Sequence, residues 1–366
     1  MNERERMMAV LQGKTPDRTP WYGDLSYLYR GLTHSGRLDA KYHGTEGFIR
    51  FHEDLGVGAC FCFDSLWSTD FFGGVGYNER QCGELTYYEY TTPVGNVRSV
   101  KKYLPTSYSW AYCEHFVKTI EDLRIMLYVC EHTRYTETYD TFRSRDTQLG
   151  GSGMMVGFGP CSAAFLQTML CRWAGVETTI DLYMEHPEEF EEKCAQVQAA
   201  EDPLFAILEQ APTPYIELAE NLSSEVTGKF LFEKFDAPYY KKRTDQLHRA
   251  GKIVGIHIDG TLKPCLGLLK ACGFDVAEAV TPLPVGDVAV EELRSLAGEG
   301  IILWGGLPGA LFSPVYSDQD FDSHLETVLD AFPPSSGFIL GSADQVPPDA
   351  VVDRVKRVRR EVEGRH

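Results

Sequence analysis

The chain of 366 residues is short of several signals that would fix a function at once. No GxGxxG opens a helix after the first candidate strand and no GxxxxGK[ST] occurs, so dinucleotide and Walker-type phosphate sites are disfavoured. No apolar run approaches the ~20 residues of a membrane helix. The ten cysteines include no CxxC pair and no zinc-finger spacing, and no secretory apolar stretch precedes them. Reduced thiols in a soluble, cytoplasmic protein are the expectation. Positive charge is scarce: 35 Lys and Arg stand against 53 Asp and Glu, a net charge of -18 spread along the chain. A nucleic-acid backbone is therefore not an expected partner, whereas a small-molecule substrate is.

What is present is a regular alternation. Residues 3–12 form an amphipathic helix stopped by Gly13, and the extended TPWYGDL follows as a first strand. GACFCFDSLW supplies a second, ending at Asp64; MMVGFGP a third; PYIELAEN, residues 214–221, a fourth. The fifth, KIVGIHIDG over 252–260, puts Val254, Ile256 and Ile258 on one face and Gly255, His257 and Asp259 on the other. FDVAEAVTP (274–282), IILWGG (301–306) and GFILGSAD (337–344) complete eight.

Helices are expected between them, at 45–55, 119–130, 161–174, 178–209 with a break at Pro187, and 238–250. Another runs to Ala297 from a cap at Asp287, one starts from Ser317 with Asp320 completing a capping box, and one closes the chain after Pro347-Pro348. Eight strands alternating with helices predict an α/β fold, a (βα)8 TIM-type barrel with an N-terminal helical segment. A doubly wound sheet is the runner-up. An insertion at about 72–150 contains LTYYEYTT and NVRSVKKYL joined at Pro93-Val94-Gly95, a β-hairpin by its turn chemistry. Its Tyr87, Tyr88 and Tyr90 are read as cross-strand packing, with a pocket lining as the alternative.

Barrel enzymes collect their reactive groups at strand carboxyl ends. Here those are Asp24, Asp64, Glu220, Asn221, His257, Asp259, Thr281 and Asp344. Each aspartate also has the plainer reading of a cap or turn residue. A histidine with two or three carboxylates can hold a divalent metal with one open position, and zinc would suit. The same groups without metal could bind a cationic or hydroxylated substrate, or supply a general base. Cys60 and Cys62 share a strand face and read as packing thiols, with a soft-metal pair as the alternative.

The order of RERMMAVLQGKTPDRTPW, GPCSAAFLQTMLCRWAGVE, ELAENLSSEVTGKFLFEKFDAPYYKKRTDQLHRAGKIVGIHIDG, WGGLPG and FILGSADQVPP resembles the uroporphyrinogen decarboxylase superfamily, which includes cobalamin-dependent methyltransferases. The arginine-rich RQAGRY segment of true uroporphyrinogen decarboxylases is replaced by YGDLSYLYRGL, with Arg30 its single cation, which argues against a polycarboxylate tetrapyrrole substrate. The HxC zinc pair of the thiol-activating methyltransferases has become His257-Ile258-Asp259, and their distant cysteine aligns approximately with Asp344. Oxygen ligands resemble the branch that demethylates aromatic methyl ethers, whose Glu-x14-Glu-x20-His pattern is echoed in spacing by Asn221-x14-Asp236-x20-His257.

The resemblance thus implies a zinc-assisted methyltransferase working with a corrinoid protein, often as a homodimer. Its expected ligands are His257, Asp236 and Glu220, with Asp259, Asp344 and Asp64 as further catalytic groups. Tyr22, Tyr27, Trp67 and Trp304 are candidates for an apolar substrate pocket, with Asp24 and Asn221 as polar contacts; plain core or rim packing is the alternative for each. A metal-free decarboxylase or lyase and a non-catalytic barrel binding protein are the competing readings.

Overall fold

The computed structural model describes residues 1–60, 65–106 and 108–365. Its first helix, Glu3–Leu11, starts where the Asn2 side chain accepts the Glu5 N–H at 2.9 Å and the Glu5 carboxylate returns the bond, a reciprocal cap that satisfies two otherwise orphaned donors.

The insertion is more extensive than one hairpin. Strands β1 (Trp67–Phe71), β2 (Gly76–Cys82), β3 (Leu85–Thr92), β4 (Gly95–Leu104), β5 (Ser109–Glu114) and β6 (Thr133–Glu137) belong to it. The expected hairpin is the β3–β4 pair, with Thr92 opposite Gly95 across the Pro93-Val94 turn. β2 and β5 extend it to a four-stranded antiparallel sheet, while β1 and β6 pair separately into a ribbon. Tyr90 packs against Phe71, Tyr77 and Phe116 with ring centroids 5.1–5.7 Å apart.

The main sheet is parallel, in the order β7 (Gly157–Phe158), β8 (Tyr215–Leu222), β9 (Ile253–Ile258), β10 (Val276–Val280), β11 (Ile302–Pro308) and β12 (Phe338–Ala343). The expected first two strands form only isolated bridges: Trp21 to Leu340, Asp24 to Gln345 and Ala59 to Gly153. Hydrogen bonds from Gly58 N–H to Trp21 O and from Tyr22 N–H to Leu340 O, both 2.8 Å, join these segments to their neighbours. The sheet is thus six strands flanked by two extended segments, not a closed ring of eight. Pro20 cannot donate to a ladder, and the glycines around it at Gly23, Gly56 and Gly58 weaken regular pairing. Cys62 and Asp64 lie outside the described residues.

Three helical expectations change. The 161–174 stretch is an α-turn, Phe165–Thr168, running into a π-helical turn, Met169–Trp173. The 178–209 stretch breaks twice, at Pro187 and before Pro203. Asp287 caps no helix; its carboxylate accepts the Leu262 and Lys263 N–H groups at 2.7 and 3.2 Å.

Alternation along the parallel strands separates two apolar layers. Ile216, Leu218, Val254, Ile256, Leu303 and Leu340 face the helices in the main core. Tyr215, Val276, Trp304 and Ile339 face the other way, over Tyr22, Cys60 and the Met7, Val10 and Leu11 face of the first helix. Farther along the same strands that inner face turns polar. Among the described residues no helix is long and apolar enough to cross a membrane.

Candidate active site

The polar part of the inner face is built from positions two residues beyond its apolar floor: Glu217 after Tyr215, His257 after Gly255 and Glu278 after Val276. The register places His257 beside Glu278, while Gly255 pairs with Glu217 on one side and Val276 on the other. One donor atom from each of Glu217, His257 and Glu278 lies within 4.8 Å of the other two. His257 Nδ1 and Glu278 Oε2 are 2.5 Å apart, and His257 Nε2 stands 4.0 Å from Asp344 Oδ1 at the open end of β12.

Local backbone details hold this group. Tyr215 donates its hydroxyl to Glu217 Oε2 at 2.8 Å, in the space left by Gly255, where a Cβ would stand 2.0 Å from that hydroxyl. Ala279, directly after Glu278, has φ 59° in the left-handed region, and the pairing of β10 with β11 shifts register between Ala277 and Val280. That bulge kinks the strand at the point where the carboxylate must be presented.

Burial and like charge set the electrostatics. Burial, then repulsion from Glu278, push the Glu217 carboxyl above its ordinary range. Burial pulls the His257 imidazole down, but the Glu278 charge and hydrogen bond outweigh it and hold His257 well above its usual value. Burial lifts Asp344 to about 7 against the pull of His257.

Of the residues expected from sequence, His257 is at the centre, Asp344 faces it and Tyr27 is half-buried within electrostatic reach of Asp344 and Asp24. Asp259 is exposed where β9 ends, its N–H donated to Leu222 O. Asp24 is buried and occupied, accepting the Ser26 N–H at 2.7 Å and the Gln345 amide at 2.9 Å, which is the turn role. Tyr22 and Trp304 are core: their rings meet edge-on at 6.1 Å and the indole N–H donates to Tyr22 O. Trp67 lies on β1, in the insertion.

The expected ligand set is not assembled as one group. Glu220 lies three residues past Glu217, against the helices, where it accepts the Ala164 N–H at 2.9 Å. Asp236 is buried nearby and accepts from Gln167 at 2.7 Å, while Asn221 is exposed at the end of β8. Glu217 and Glu278 are not among the strand-end residues expected from sequence. The signal for each is a carboxylate at mid-strand with apolar residues on either side, Ile216-Glu217-Leu218 and Ala277-Glu278-Ala279.

An imidazole nitrogen and two carboxylate oxygens, buried yet open toward Asp344, fit a three-ligand divalent site of the catalytic type, and zinc or another borderline metal matches this donor chemistry.

The family profile described as uroporphyrinogen decarboxylase (URO-D) matches residues 108–364. This chain belongs to that family. Among solved structures, this family member is similar to a methyltransferase from Methanosarcina mazei, with a TM-score of 0.62 and 12% identity, over 100% of this chain and 99% of that one. The likeness is one of fold. No curated protein matches the chain. In this uroporphyrinogen decarboxylase family member Glu217 and Glu278 lie at mid-strand, while His257 is one residue from the carboxyl end of β9 and Asp344 just past that of β12, the side on which α/β enzymes bind their ligands.

Proposed function

We propose that the protein is a methyltransferase that moves a methyl group from a small substrate, a methoxylated aromatic compound in the first instance, to a corrinoid carried by a partner protein. The observation that carries this reading is the convergence of Glu217, His257 and Glu278 on one point of the inner sheet face. The fold likeness to a methyltransferase supports it.

Zinc held by these three residues would supply Lewis-acid polarisation of the ether oxygen and stabilise the departing phenolate. The chain's own groups do the rest. Tyr215 orients Glu217 through its hydroxyl, and the Ala279 bulge aims Glu278. Asp344, with its carboxyl lifted to about 7 beside the entrance, can give the phenolate oxygen its proton as the methyl group departs. The acidic surroundings of His257 disfavour substrates bearing several carboxylates, consistent with a neutral ether.

The test is metal content and activity together. Protein purified without chelator should carry close to one zinc per chain, His257→Ala and Glu278→Gln should lose it, and methyl transfer from methoxylated aromatics to cob(I)alamin should fall roughly 100-fold or more. Metal-free protein with a fully active His257→Ala variant would sink the proposal.

One observation favours a second reading. The 2.5 Å His257–Glu278 pair, with the imidazole held charged, is also a proton donor poised beside a site that could take a carbanion, as a metal-free decarboxylase requires. Release of carbon dioxide from a small carboxylated substrate by chelator-treated protein, with no corrinoid present, would select that reading.

A further inference from the structure

A cavity of about 330 Å3 lies between the insertion, the loop that follows β7 and the helical segments over 165–204, and none of Glu217, His257 and Glu278 lines it. That volume is at the lower end of the roughly 300–1,000 Å3 of small-molecule sites and suits a single ring with substituents. Its aromatic wall comes from three separate elements: Trp67 and Phe71 on one face of β1, Tyr90 on β3, and Trp173 at the end of the π-helical turn.

Two charged side chains of opposite sign complete the lining. Arg172 donates from Nη1 to Cys161 O at 2.8 Å, and among the described residues no carboxylate lies within 4.0 Å of its guanidinium. The remaining donors of that planar fork are left for an oxyanion. Glu201 accepts the Tyr239 hydroxyl at 2.9 Å through one oxygen; burial pushes its carboxyl up to about 7, and it makes no ion pair with Arg172.

The floor is also constrained. Ser162, with φ 53°, is held in the left-handed region by its N–H bond to Ala219 O on β8 and by the Thr168 hydroxyl donated to Ser162 O. A backbone kept there by two bonds is over-determined, as walls of ligand sites tend to be.

We infer that this cavity is a second binding site, for a small aromatic acid: the carboxylate pairs with Arg172, the ring stacks among Trp67, Phe71, Tyr90 and Trp173, and a hydroxyl at the far end of the ring donates to Glu201. The inference stands apart from the proposed function, because it needs no metal and no reaction at His257.

The probe is 4-hydroxybenzoate, titrated by calorimetry and by quenching of tryptophan fluorescence. One saturable site is expected. 4-Hydroxybenzamide, which lacks the carboxylate, and cyclohexanecarboxylate, which lacks the aromatic ring, should bind at least about tenfold more weakly. Arg172→Gln should weaken the acid by roughly 10- to 100-fold. Trp67→Leu, in the peripheral ribbon, should also weaken it, and His257→Ala should leave its affinity unchanged. The inference is overturned by the absence of saturable binding in the millimolar range, by an Arg172→Gln variant that binds as well as the parent, or by loss of binding in His257→Ala, which would move the site to the metal-ligand group.

Discussion

Tyr215 is the residue on which the geometry of the donor group depends most while standing outside it. It is fully buried in the inner apolar layer, and its hydroxyl is the bond that orients Glu217. Partners of this kind are worth roughly 10- to 100-fold in metal affinity. Tyr215→Phe keeps the ring and removes the bond, so the fold should persist while zinc competition against a chelator shows a loss of that size. An unchanged affinity would mean that Glu217 is not a ligand. Asn221-x14-Asp236-x20-His257 preserves a spacing, but spacing along the chain does not say which side of a sheet a side chain takes. Asp236 lies among helices and Asn221 in solvent, while the carboxylates that reach His257 are at mid-strand.

At the scale of elements, period-two alternation was a sound guide wherever a strand is buried on both faces. β8, β9, β10, β11 and β12 each fall within a residue or two of the apolar runs read from the sequence, because their helix-facing sides are mostly apolar. The segments at 20–24 and 57–60 were legible as extended but not as joined by isolated bridges alone, since prolines and glycines act through hydrogen bonds that need a partner to be missed. The bulge at Ala279 left no trace either, for alanine carries no signature of positive φ. Gly255 is the element-scale device most open to test. A Cβ there would stand 2.0 Å from the Tyr215 hydroxyl and 2.7 Å from its ring carbon Cζ, so β9 and β8 cannot both keep their places. Gly255→Ala should destabilise the protein by about 1–3 kcal/mol in denaturant unfolding and lower metal affinity in the same variant. Wild-type values for both would show that the ring has room to move.

For the whole molecule, two buried groups of opposite sign shape stability against pH. His52 is 1% exposed, its Nδ1 3.0 Å from Phe48 O, and burial lowers its pKa from 6.5 to about 4. Below pH 6.5 the unfolded chain takes a proton that the native imidazole refuses, so this group's contribution is present above 6.5 and is lost as pH falls toward 4. Asp236 is fully buried and burial raises it from 3.8 to about 8. Its native carboxyl keeps a proton that the unfolded chain releases, so its contribution is complete below 3.8 and is lost as pH rises through 8. Each effect has a slope of at most about 1.4 kcal/mol per pH unit. Between pH 4.5 and 6.5 His52 offsets part of the loss from Asp236 and from Glu201, raised to about 7; above 6.5 that offset is gone, while Glu217 and Asp344, also raised, act in the same direction as Asp236. Stability should therefore decline as pH rises from 4.5 toward 8, more steeply above 6.5, where His52 no longer offsets the carboxyls. Urea midpoints across this range should show Asp236→Asn making the decline shallower and His52→Gln making it steeper below pH 6.5. Parallel profiles for the parent and both variants would mean that neither group changes its protonation on folding.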